Sequence, residues 1–168
     1  MKATTPGLLV GSEVPKLWSP RQQRFLYARA LAHIRRGTHA IAGLPPAHLA
    51  ALVGEVVRLS APLGTDFSTL PTSDPALAER LASHFAQEAR ETLCWLAARV
   101  NAEPPTDWDA LALGVRESAE RVALAICGDP AAAISIVCAE TGGGLEKPEV
   151  ARLARFAVSE AHLAIRVR

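Results

Sequence analysis

Apolar positions recur along most of this chain with the spacing of amphipathic helices, and prolines, glycines and capping residues punctuate them. Ser19 followed by Pro20 is a helix start. A serine hydroxyl accepts from the orphan N–H groups of a first turn, and proline at the first helical position gives up a donor that has no partner there anyway. Phe25, Leu26, Ala28, Leu31, Ala32 and Ile34 then share a face until Arg35-Arg36-Gly37. A second helix opens near Pro45-Pro46, carries Leu49, Leu52, Val53, Val56, Val57 and Leu59, and stops before Pro62 and Gly64. Residues 62–73, rich in Gly, Thr, Asp, Ser and Pro, predict an ordered surface loop anchored by Phe67 and Leu70.

Ser73-Asp74-Pro75 caps a helical period running to Asn101 through Leu77, Leu81, Phe85, Ala89, Leu93, Leu96 and Val100, with a break near residues 84–87. Pro104 to Asp107 link and cap a helix that starts at Trp108 and ends at Gly128. Asp129-Pro130 opens a very apolar helix through Ile134, Ile136, Val137 and Cys138, closed by Gly142-Gly143-Gly144; its lack of a polar face predicts a central place in the core. The last helical stretch runs from Lys147-Pro148 through Leu153, Phe156 and Leu163, interrupted near Ser159. Trp18 and Trp108 stand at helix entrances, where an apolar side chain staples the first turn. The short apolar run Gly7-Leu8-Leu9-Val10-Gly11 reads as one strand or an extended lead-in.

The expected fold is therefore mainly α, a compact multi-helix bundle with at most one short N-terminal strand, in one domain spanning residues 1–168. Composition agrees, since the 49% of apolar residues is mostly Ala, Leu and Val, with 5% aromatics. Eighteen basic against 17 acidic residues leave a net charge of +1, too weak a field to attract nucleic acid or an anionic membrane. No window approaches the roughly 18 uninterrupted apolar residues of a membrane span, and the N-terminus lacks a signal-peptide pattern. Cys94, Cys127 and Cys138 lie in apolar runs without CxxC spacing, which predicts reduced, buried thiols and a cytoplasmic address.

Candidate chemistry is sparse. Five histidines, His33, His39, His48, His84 and His162, form no HxH, HxxxH or HExxH spacing, and no cysteine sits at ligand distance in sequence from any of them. No GxSxG turn exposes a nucleophile, and the triple glycine lacks both the phosphate-loop pattern and a preceding strand.

Two blocks carry a resemblance. The run Leu8-Leu9-Val10-Gly11-Ser12, then Leu17-Trp18-Ser19-Pro20-Arg21-Gln22-Gln23-Arg24-Phe25-Leu26, then Arg29 through His39, resembles the active-site region of gluzincin metallopeptidases of the CAAX-processing and heat-shock-protease type. There an extended segment precedes a helix bearing HExxH. On that frame Arg29 falls at the first ligand position, Ala30 at the general base and His33 at the second ligand. The second block, Glu117-Ser118-Ala119-Glu120-Arg121 through Gly128-Asp129-Pro130 and on to Ile134, is similar to the downstream segment that supplies the carboxylate ligand, and it puts Arg116 in that place. Glu117, one residue later, points about 100° away around a helix.

Such chemistry needs two neutral imidazoles one turn apart, a carboxylate ligand and a glutamate base. Three of those four groups are missing, and arginine has no lone pair for a metal and repels the cation. The resemblance therefore implies a non-catalytic domain with no catalytic, cofactor or metal residues, in which Arg29, His33, Arg116 and Glu120 form a buried polar cluster of paired arginine and carboxylate. It implies a protein-interaction or scaffold module with a protein partner. A likeness to C-terminal modules of bacterial helical-repeat proteins, extending to Phe156-Ala157-Val158-Ser159-Glu160, points the same way. Two other readings stay open: a hydrolase with a rearranged metal site drawn from His33, His39, Glu117 or Glu120, and a small-molecule-binding bundle.

Overall fold

Every regular element among the described residues of the computed structural model is a helix. The structure describes residues 7–61, 66–68, 70–84, 93–95 and 107–166, and among these there is no strand. The elements are α1 (Val14–Leu17), α2 (Pro20–Arg35), α3 (Pro46–Ser60), α4 (Pro75–His84), α5 (Trp108–Cys127), α6 (Pro130–Thr141), α7 (Pro148–Ala157) and α8 (Glu160–Arg166). Residues 93–95 are helical as well. The expected break near residues 84–87 falls where α4 ends, but residues 85–92 and 96–106, with the rest of that expected period, lie outside the described residues. So do residues 62–65 and 69 of the expected loop.

Contacts divide the chain into two compact units, Met1–Ala42 with Gly114–Arg168, and Gly43–Leu113. In the first, α2 and α7 both pack on α6, α8 on α7 and α1 on α2. Phe25 and Ala28 of α2, Ala123 and Leu124 of α5, Ile136 and Val137 of α6, and Val150 and Leu153 of α7 make its core. Burying each of these larger side chains stabilises the fold by about 1.5–3 kcal/mol.

The boundaries follow the capping chemistry. Ser19 and Gln22 form a reciprocal capping box at the start of α2, with Pro20 in the first turn. Trp18 packs against the core just before it. Asp129 accepts from the Ala132 N–H at 3.1 Å to cap α6. Gly142, at φ 65°, takes the left-handed conformation that closes the same helix, a conformation a β-carbon would strain. Ser159 separates α7 from α8 and its hydroxyl accepts from the His162 N–H at 3.3 Å.

Two details refine the expectation and a third corrects it. The 7–11 run takes the second of its two expected forms, an extended lead-in, and a four-residue helix, α1, follows it. Helix α6 buries only Ala133, Ile136 and Val137 on its inner side; Ala131 and Ala139 face outward, small enough for an apolar helix to tolerate exposure. Of the three free cysteines, Cys127 is buried and donates its thiol to the Arg21 carbonyl at 3.2 Å, while Cys94 and Cys138 are half-buried.

In the second unit, α3 packs on α4. Glu55, 2% exposed, accepts from Arg58 at 2.7 Å and from the Asp74 N–H at 2.9 Å, tying the middle of α3 to the N-cap of α4. A buried carboxylate persists only with such partners.

Candidate functional site

The positions singled out on α2 and α5 belong to the first unit, and three of them meet. Arg29 lies one turn beyond Phe25, its guanidinium 5.5 Å from the ring centroid, and its side chain is 18% exposed. Both of its terminal nitrogens engage the two carboxylate oxygens of Glu140, in the last turn of α6, with one bond at 2.7 Å and the other shorter. The Glu120 carboxylate, on α5 and only 5% exposed, lies 4.0 Å from Arg29 and 3.6 Å from Arg116.

From there the ion pairs continue. Arg116 reaches Glu149 at the start of α7 at 3.3 Å, and Glu149 lies 4.0 Å from Arg152 one turn on. Arg152 is bonded to Glu117, which pairs with Arg121 at 2.9 Å, and the Arg121 guanidinium sits 5.4 Å from the Phe156 ring centroid. Arginine and glutamate alternate from Glu140 to Arg121, four of each, so the network joins α2, α5, α6 and α7 with no net charge. Two-pronged arginine–carboxylate geometry fixes orientation as well as distance.

Burial pushes the Glu120 carboxyl above its ordinary value, against the opposing pull of Arg116 and Arg29. Neither arginine comes closer than 3.6 Å, so attraction does not offset the lost hydration. Arg29 is pulled down by burial but held above its usual value by Glu140 and, more weakly, by Glu120.

His33 takes a different course. Its Nδ1 is 3.0 Å from the Thr38 hydroxyl, and burial, with Arg29 and Arg36 adding to it, lowers its pKa. With Ala30 and His39 it lines a cleft of about 450 Å³ beside Leu8. Arg29, Arg116 and Glu120 are thus brought together, while Ala30 and His33 face this separate cleft.

These residues do not fit a peptidase zinc site. Arg29 and Arg116 offer no lone pair and are engaged with carboxylates, Ala30 has no base, and Glu117 and Glu120 are held by arginines. Among the described residues, no group of three histidine, cysteine, aspartate or glutamate side chains converges.

Sequence reading missed Glu140, Glu149 and Arg152. Glu140 left one signal: it is the single charged residue of α6, and a lone carboxylate ending an apolar helix needs a cation nearby. Compared with known proteins, the chain matches no family model, no curated protein and no solved structure.

Proposed function

We propose that this chain is a non-catalytic, metallopeptidase-like helical module that acts by binding another protein, in the reducing environment that its three free cysteines suit. The observation that supports the reading is Glu120 set between Arg29 and Arg116, two of the positions where the peptidase resemblance expects metal ligands. Cations fixed at those positions repel a divalent ion and leave a polar framework that ties four helices together. No helix among the described residues is long and apolar enough to cross a membrane.

The test is the zinc content of the purified full chain by elemental mass spectrometry, before and after incubation with zinc, together with its melting temperature. The expected result is negligible metal and an unchanged melting temperature. Near-stoichiometric zinc that resists mild chelation overturns the reading and favours the rearranged hydrolase, with His33 and His39 the first ligands to replace.

A further inference from the structure

Along α2 the first unit carries an open groove of about 490 Å³, running from Pro20 to Arg35. Sixteen helical residues make it about 24 Å long at 1.5 Å per residue. Ala28, Leu31 and Ala32 form one wall and Val122 and Ile126 of α5 the other. Leu31 and Ile126 are 55% and 57% exposed, an apolar ridge left facing solvent. A second hollow, lined by Arg36, Phe156 and Ile165, adjoins it through the shared Val122 and Ile126.

Among the described residues the rim has one sign of charge. Arg24 and Arg35 line the groove, Arg36 lines its extension, and all three are exposed. None makes an ion pair with a described carboxylate, unlike Arg29 on the opposite flank of the same helix, and no acidic side chain among the described residues lines the groove. The remaining polar groups, Gln23 and Tyr27, are uncharged.

We infer that this groove receives an acidic amphipathic helix of a partner protein. The inference rests on the reading of the chain as a protein-binding module and gives that partner its chemistry. The floor matches apolar anchors at i, i+3, i+4 and i+7, and arginines engaged by no described carboxylate, at both ends, match glutamates or aspartates on the flanks of the incoming helix. The length accommodates about four turns. An anionic lipid is the poorer match, because small amphiphiles are held in sites that enclose most of their surface, whereas this groove lies open along its length.

The test titrates the full chain with three probes: an 18-residue peptide with leucines at helical spacing and glutamates elsewhere, the same peptide with lysine for every glutamate, and sodium palmitate. Binding is followed by fluorescence anisotropy for the peptides and by amide chemical shifts for all three. The acidic peptide is expected to bind at least tenfold more tightly than the basic one, to shift Tyr27, Leu31 and Ile126, and to lose at least tenfold in R24E/R35E and in L31E. These sites are exposed, so an unchanged circular dichroism spectrum and melting temperature certify each variant. Equal or absent binding of the two peptides overturns the proposal, and so does palmitate alone shifting the groove. Self-association of the chain that disappears in L31E would assign the groove to a second copy and overturns it too. Failure here with negligible zinc leaves the non-catalytic reading standing, whereas stoichiometric zinc removes that reading whatever the peptides do.

Discussion

Arg29 and Glu140 face each other two-pronged across 111 residues of sequence, joining α2 to the last turn of α6. The two partners are not equally sheltered, since Arg29 is 18% exposed and Glu140 45%. Arg29→Ala also strips a cation from the buried Glu120, so it is expected to cost about 2–4 kcal/mol. Glu140→Ala, at a more hydrated position, should cost about 1 kcal/mol. Urea denaturation of both variants measures the difference, and equal costs would mean that the pair behaves as an ordinary surface bridge.

Glu120 makes acid stability informative. Its folded pKa is raised above the ordinary 4.5, so the folded state holds the proton more tightly than the unfolded chain. Its contribution is fully present below 4.5 and is lost as pH rises through the folded value. Glu120→Gln removes that loss. The melting temperature of the variant relative to the parent should therefore climb with pH from about 4.5 upward and then level off. A relative melting temperature that falls over the same window would show that Arg29 and Arg116 outweigh burial.

His33 shifts the other way from a free imidazole. Its folded pKa lies below 6.5, so its contribution to stability is present above that value and is lost as pH falls toward the folded one. The Hε1 resonance of His33 should titrate with a midpoint below 6.5, and Arg29→Met should move the midpoint back upward by removing part of the repulsion. An unmoved midpoint would assign the shift to burial and Arg36 without Arg29.

Rebuilding the metal motif tests the resemblance itself. Arg29→His with Ala30→Glu and Arg116→Glu places His-Glu-x-x-His on α2 and a carboxylate on α5. The triple variant should be less stable than the parent without metal, since it breaks the arginine–glutamate network. Zinc at about 100 times its dissociation constant should restore roughly 2.7 kcal/mol. A melting temperature indifferent to zinc would mean that the two helices do not share the peptidase arrangement.

Gly114 lies inside α5, and beyond its own helix backbone and chain neighbours no heavy atom of the described residues comes within 4 Å of where a β-carbon would stand. Gly114→Ala should raise stability by about 0.5–1 kcal/mol, through reduced freedom of the unfolded chain. Thermal melts decide it, and a loss of stability would reveal a role for the glycine beyond packing.

Helix boundaries were the most legible part of this chain, because they depend on local chemistry: Ser19-Pro20, Asp129-Pro130 and the glycines at 128 and 142 act on their own turns. The pairing of Glu120 with Arg116 was readable for the same reason, being one helical turn apart. Partners that come from other helices were not. Nothing near Arg29 announces Glu140, and nothing near Glu117 announces Arg152, since both pairings exist only after α6 and α7 have docked. The apolar pattern rightly put α6 at the centre of the first unit, where α2 and α7 pack on it, but did not tell its inner side from Ala131 and Ala139, because alanine reads as core in a sequence yet stays comfortable on a surface. The groove beside α2 escaped notice for the opposite reason: its apolar lining looks like any other buried face until the packing leaves it open.

The first unit is built from two stretches of chain, with Gly43–Leu113 lying between them. On the ribosome this arrangement sets a timetable. Helix α2 emerges early but meets α6 and α7 only after more than a hundred further residues have been translated, the whole of the intervening unit among them. Nascent α2 must therefore wait with Phe25 and Ala28 exposed, a natural client for a chaperone until α6 arrives.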